Sequence, residues 1–275
     1  MTNTYSLTIP DVAKAVLAGQ YRERQQKDEL CGAFWAAIAV SALTGRNATQ
    51  DDAAVAAGTL LSAGGGSLSD LPPGAVSRPD YIREIATTAD TRLAGTSPRG
   101  VVRAIGSLSE GALTAVPLRG PWQEKSVEAL SDFVLDGGPA VAVLNVATHY
   151  LWHSHLSLLE VAAYLDGTDV TYPDSEWDVG HYVAIVGSLT AAAAGGRRVL
   201  LCADTYPSLG SQGLHPQPAS RLAAGLNRDG AATSGGAIVV VPSHRAASVA
   251  AWAAEAGVAA GYWDNGVPDS NDVDH

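Results

Sequence analysis

Gln25-Gln26-Lys27-Asp28-Glu29-Leu30-Cys31-Gly32-Ala33-Phe34-Trp35 is the stretch on which the fold turns. A polar run gives way at Cys31 to a continuous apolar one that lasts to Thr44 and stops at Gly45. That length, with Ala and Trp inside it, fits a buried helix better than a strand, and Gly45 suits its C-terminal stop. Cys31 then stands at a helix start, where unpaired N–H groups and the helix dipole favour a thiolate. The thiolate is the nucleophilic form of cysteine. Gln25, six residues upstream, can fold its amide back over the helix terminus and join the Cys31 N–H in holding a developing oxyanion. Gln26 competes for that role and is expected to be a solvated neighbour. Taken alone, Cys31 would read equally well as a small buried hydrophobe.

Outward from this helix, the two halves of the chain differ. Pro10–Leu17 reads as a short amphipathic segment, and Thr49-Gln50-Asp51-Asp52 as a capping box opening a helix that dies in Gly64-Gly65-Gly66. Gly64–Pro79 is a Gly-, Ser- and Pro-rich loop, followed by helices predicted at Asp80–Ala89 and Pro98–Leu108. Beyond it, Leu113–Leu118, Ala140–Val146, Tyr182–Ser188, Arg198–Ala203 and Ala237–Val241 are short Val-, Ile- and Leu-rich runs that read as strands. Helices are predicted at Glu124–Leu135, Pro218–Leu226 and after His244. A helical front half and a strand-rich back half make an α+β domain over residues 1–263, divided near residue 110, with a cleft between helices and sheet. The acidic residues 264–275 are expected to form a solvated, flexible tail.

A nucleophile needs a base, and the base needs orienting. Asp178-Val179-Gly180-His181-Tyr182-Val183 places His181 at the mouth of an apolar strand, and Cys202-Ala203-Asp204 ends the next strand with a carboxylate. A hairpin of the two would set Asp204 beside one ring nitrogen while the other faces Cys31.

Gln–x5–Cys-Gly, then His-Tyr-Val-Ala-Ile-Val-Gly, then Asp on the following strand resembles the papain-like cysteine peptidases. The likeness is closest to the C39-like, bacteriocin-leader-processing type. It covers three motif patches and their order rather than a continuous match. The Cys31-to-His181 separation of 150 residues matches the papain-type spacing of roughly 130–150. Leu30 departs from the Asp or Ser that many relatives carry there, and no Pro directly follows Asp204. The resemblance implies a papain-like fold, with Cys31 as nucleophile, His181 as general base and then acid, Asp204 as orienter and Gln25 as oxyanion donor. It implies a peptide or small amide substrate and no cofactor.

Composition narrows the alternatives. The 275 residues are 47% hydrophobic and 16% charged, with a mean hydropathy of +0.08, so a real core is expected and extensive disorder is not. A net charge of −11 argues against a nucleic acid or an anionic membrane as partner. The N-terminus lacks the basic and apolar regions of a signal peptide, and the runs Pro139–Val146 and Leu156–Leu165 are too short to span a bilayer. A cytoplasmic setting is therefore expected. With only two cysteines, a disulfide framework is excluded, and Cys202 reads as buried strand interior. Gly32, Gly180, Trp177 and Trp152 are candidate substrate contacts, and Tyr172 is a further groove aromatic. His149, His153 and His155 would ligate zinc only if they converged, and no Cys or Glu completes a recognised zinc pattern. Two rival functions remain: a non-catalytic binding protein on the same fold, and a metal-dependent enzyme built on those histidines.

Overall fold

A computed structural model describes residues 4–66, 70–152, 156–169, 177–192, 196–228 and 233–269. The chain runs β1 (Tyr5–Thr8), α1 (Asp11–Glu23), α2 (Cys31–Thr44), α3 (Gln50–Ala57), β2 (Leu61–Ser62), β3 (Thr87–Thr88), α4 (Pro98–Leu108), β4 (Leu113–Arg119), α5 (Glu124–Asp136) and β5 (Val141–Ala147). It continues with α6 (Leu158–Leu165), β6 (Gly180–Ala191), β7 (Arg198–Ala203), β8 (Leu214–Gln217), α7 (Ala219–Asn227), β9 (Gly236–Pro242), α8 (Ala246–Glu255) and β10 (Ala259–Ala260). The class is α+β, with a mostly antiparallel sheet.

The main sheet is ordered β10-β4-β9-β5-β6-β7-β8, and β1 pairs with the far half of β6. Side chains alternate faces along each strand, and both faces here are covered. Val141, Val143, Tyr182, Ala184, Val186, Ile238 and Val240 pack against the helices of the front half through Phe34, Trp35, Ile38, Val101 and Ile105. Their alternates Ala142, Leu144, Val183, Ile185, Val239 and Val241 face a second layer, with Leu130 of α5, Leu222 and Leu226 of α7 and Val249 of α8. This double burial is why the strands read as continuous apolar runs rather than alternating ones.

The front helices pack on one face of the sheet. The front-half helices and the sheet pack directly on one another, and residues of both line the cleft that carries Cys31 and His181. Asp80–Ala89 is not a helix: it is irregular chain ending in β3. Its buried anchor is Ile85, and the Ile82 N–H bonds to Asp51 Oδ1 (2.9 Å). The tail is not free from residue 264 either. Arg103 Nη1 pairs with Asp269 Oδ1 at 2.9 Å and Asn265 Nδ2 donates to Thr96 O at 3.2 Å, so 264–269 docks on the front helices.

Candidate active site

The loop Gln25–Leu30 is stapled before it enters α2. Gln26 N–H donates to Thr205 O (3.0 Å), Lys27 N–H to Gln50 Oε1 (2.7 Å) and Asp28 N–H to Arg78 O (3.2 Å). The buried Lys27 ammonium pairs with Asp51 at 2.6 Å. Glu29 is forced into the left-handed region, φ 64°, and is held there by Ser62, whose N–H donates to Oε2 at 2.7 Å. Strain of this kind persists only where the surroundings over-determine it. Its result is to deliver Cys31 at the first position of α2.

Trp35 joins α2 to the sheet, because its Nε1–H donates to Tyr182 O at 2.8 Å. Cys31 lies one turn earlier on the same helix face, and His181 is the strand residue just before Tyr182. The two side chains consequently line the same cleft, where the Cys31 thiol acts on the His181 imidazole. Gly32 makes the approach possible. A Cβ there would lie 3.0 Å from Thr96 Cβ and Val101 Cγ2 and 3.2 Å from a Tyr182 ring carbon.

His181 and Asp204 are both buried, and His181 Nε2 lies 3.0 Å from Asp204 Oδ1. The antiparallel β6–β7 pairing that the hairpin requires is present. Asp204 Oδ1 also accepts the Tyr206 N–H at 3.1 Å. Burial opposes charge on His181, but the Asp204 carboxylate, with Cys31 adding to it, overcomes that cost and pushes its pKa up to about 10. Burial likewise opposes ionisation of Asp204, and His181 with His215 reverses it, holding the carboxyl below its usual range. Trp177 and Tyr206 flank the imidazole, with ring centroids 4.8 and 5.7 Å away. Cys202 lies fully buried in β7, where burial pushes its thiol well up.

The cleft over this group measures about 310 Å³ and is lined by Gln26, Cys31, Leu71, Trp177, Gly180, His181 and Tyr206, with Asp28, Glu29 and Asp70 among its walls. Cys31, His181, Asp204, Trp177 and Gly180 are thus brought together as their sequence positions suggested. Three other residues are not. Gln25 is turned away: its Nε2 donates to Val76 O, and Gln26 occupies the cleft instead. The cause is the Gln26–Thr205 backbone bond, which sends neighbouring side chains opposite ways. Thr205 Oγ1–H then donates to Gln26 Oε1 at 2.5 Å, leaving the amide N–H bonds as the end available to the cleft. Gly32 is buried against Thr96, Val101 and Tyr182 and is not among the residues that line the cleft. Trp152 packs edge-on to Tyr164 (4.8 Å) within an apolar cluster of Val161, Leu165 and Val199.

His149 bonds to Asp178 Oδ1 at 2.6 Å. His153, His155 and Tyr172 lie outside the described residues. Among the described residues, no three His, Cys, Asp or Glu side chains converge as metal ligands. No helix among them is long and apolar enough to cross a membrane. His215, which touches Asp204, is a site residue that motif spacing does not single out. Its signal was the alternation in Leu214-His215-Pro216-Gln217, beside the strand carrying Cys202.

A half-buried thiol beside a buried imidazole–carboxylate pair, at a cleft in an α+β domain, defines a class of site rather than a protein. Over residues 10–264 the chain matches the model of a family of unknown function, DUF6885, and it belongs to that family. No curated protein matches it.

Proposed function

We propose that the protein is a papain-like thiol enzyme that cleaves or transfers a peptide or amide acyl group. The observation carrying this reading is the Cys31–His181–Asp204 alignment, with the imidazole Nε2 committed to Asp204 and the ring shielded between Trp177 and Tyr206. Cys31 Sγ attacks the carbonyl carbon. The oxyanion is held by the Cys31 N–H, a first-turn donor without an intrahelical acceptor, and by the Gln26 amide. His181 carries a proton at neutral pH and gives it to the departing amine as the C–N bond breaks. Water then attacks the thioester, His181 takes its proton, and the acid leaves. If an amine replaces water, the same steps form a new amide. The carboxylate-walled cleft favours a cationic or neutral peptide over an anionic one.

The test is iodoacetamide labelling at neutral pH, with sites mapped by mass spectrometry. Selective labelling of Cys31 is expected, slowed about tenfold or more in His181→Ala, while buried Cys202 stays unlabelled. Labelling of Cys31 no faster than that of free glutathione, and indifferent to His181, would leave a non-catalytic binding protein.

A further inference from the structure

Asp204 is gripped from two sides, and its second partner is an imidazole to which the proposed chemistry assigns no step. His215 Nε2 lies 3.4 Å from Asp204 Oδ2. On its other side, His215 Nδ1 lies 3.0 Å from Gln217 Nε2. The orientation of that amide is set by backbone: Trp152 N–H donates to Gln217 Oε1 (2.8 Å), and Gln217 Nε2–H donates to Trp152 O (3.2 Å). A peptide N–H can only donate and a peptide C=O can only accept, so the amide cannot be reversed. Gln217 therefore presents its second N–H to His215 Nδ1, which must accept. In the neutral ring the proton then sits on Nε2 and points at Asp204. All three side chains are buried.

We infer that His215, oriented by Gln217, is a positioning residue that locks the Asp204 carboxylate so that Oδ1 faces His181. With Oδ2 occupied by His215, and Oδ1 shared by His181 and Tyr206 N–H, the carboxylate has one stable rotamer. His181 Nε2–H must then donate to it, which leaves Nδ1 for Cys31. Besides Asp204, Cys202 faces His215 as its register partner across the β7–β8 ladder.

This inference rests on the proposed thiol chemistry, and one experiment separates the two. The rate of Cys31 alkylation by iodoacetamide is measured from about pH 5 to pH 9 in the wild type, His215→Ala and His215→Gln, with thermal unfolding run in parallel. In His215→Ala the carboxylate is free to turn. Labelling at neutral pH should fall about fivefold to tenfold, and the rise of rate with pH should move to higher pH. His215→Gln restores an N–H donor of similar reach and should recover most of the wild-type profile, whereas a purely space-filling role would give no such rescue. Two outcomes overturn the role of His215: a wild-type profile in His215→Ala, or a folded His215→Gln that matches His215→Ala. If wild-type Cys31 shows no selective, pH-dependent labelling, it is the thiol chemistry that fails.

Discussion

Neighbouring glutamines show how much of this site depends on single residues. Spacing favours Gln25, yet one backbone hydrogen bond to Thr205 makes Gln26 the side chain in the cleft. Gln26→Ala should therefore slow the acylation burst with an activated ester such as p-nitrophenyl acetate by about 10²-fold, the cost of losing one oxyanion donor. Gln25→Ala should leave that burst within about twofold of the wild type. If the two effects were reversed, the oxyanion assignment would pass to Gln25. Asp204→Asn keeps the shape of the carboxylate but removes the charge beside His181, and its one amide oxygen cannot accept from both His181 and His215. Cys31 alkylation at neutral pH should drop at least about tenfold in that variant.

Among the elements, α2 and the loop before it do most to position the nucleophile. Lys27 and Asp51 form an ion pair that is almost wholly out of solvent. Removing one partner of such a pair strands a buried charge, so Asp51→Ala should cost about 3–5 kcal/mol in denaturant unfolding. A loss below about 1 kcal/mol would show that the staple carries no weight. Gly32 is the second control point. Gly32→Ala drives a methyl group between Thr96, Val101 and Tyr182, and the shift it forces on α2 should lower Cys31 reactivity more than it lowers global stability. A fall in unfolding free energy of about 1–3 kcal/mol is expected. Reactivity that simply tracked stability would make Gly32 a packing residue with no bearing on the site.

At the scale of the whole molecule, charge and pH act together. The chain carries −11 overall, and Asp28, Glu29 and Asp70 wall the cleft. A cationic methanethiosulfonate reagent should modify Cys31 at least about tenfold faster than an anionic one at low salt, and the gap should close as salt rises. Equal rates would remove the charge preference from the proposed substrate. His181 has a raised pKa in the fold, so the stability gained from its pairing is whole below the unfolded value of 6.5 and is lost as pH rises through about 10. Asp204, held below its usual range, contributes above 3.8 and loses that contribution as pH falls. The stability advantage of the wild type over Asp204→Asn should accordingly be largest between pH 3.8 and pH 6.5 and shrink towards pH 10, as read by thermal melts.

The sequence by itself determined several local elements: the apolar run that makes α2, the helix that opens at Pro98, and the five main strand runs. It also determined the order of thiol, imidazole and carboxylate. These follow from short-range rules of periodicity, capping and propensity that act within a few residues. Only the tertiary structure decided what faces what. Covering the sheet on both sides, turning Gln26 rather than Gln25 inward, sinking Trp152 into a cluster, docking 264–269 on the front helices and setting His215 against Asp204 all join residues distant in sequence. Such contacts are selected by global packing and by the need to partner every buried polar group, and neither condition is expressed in any local pattern.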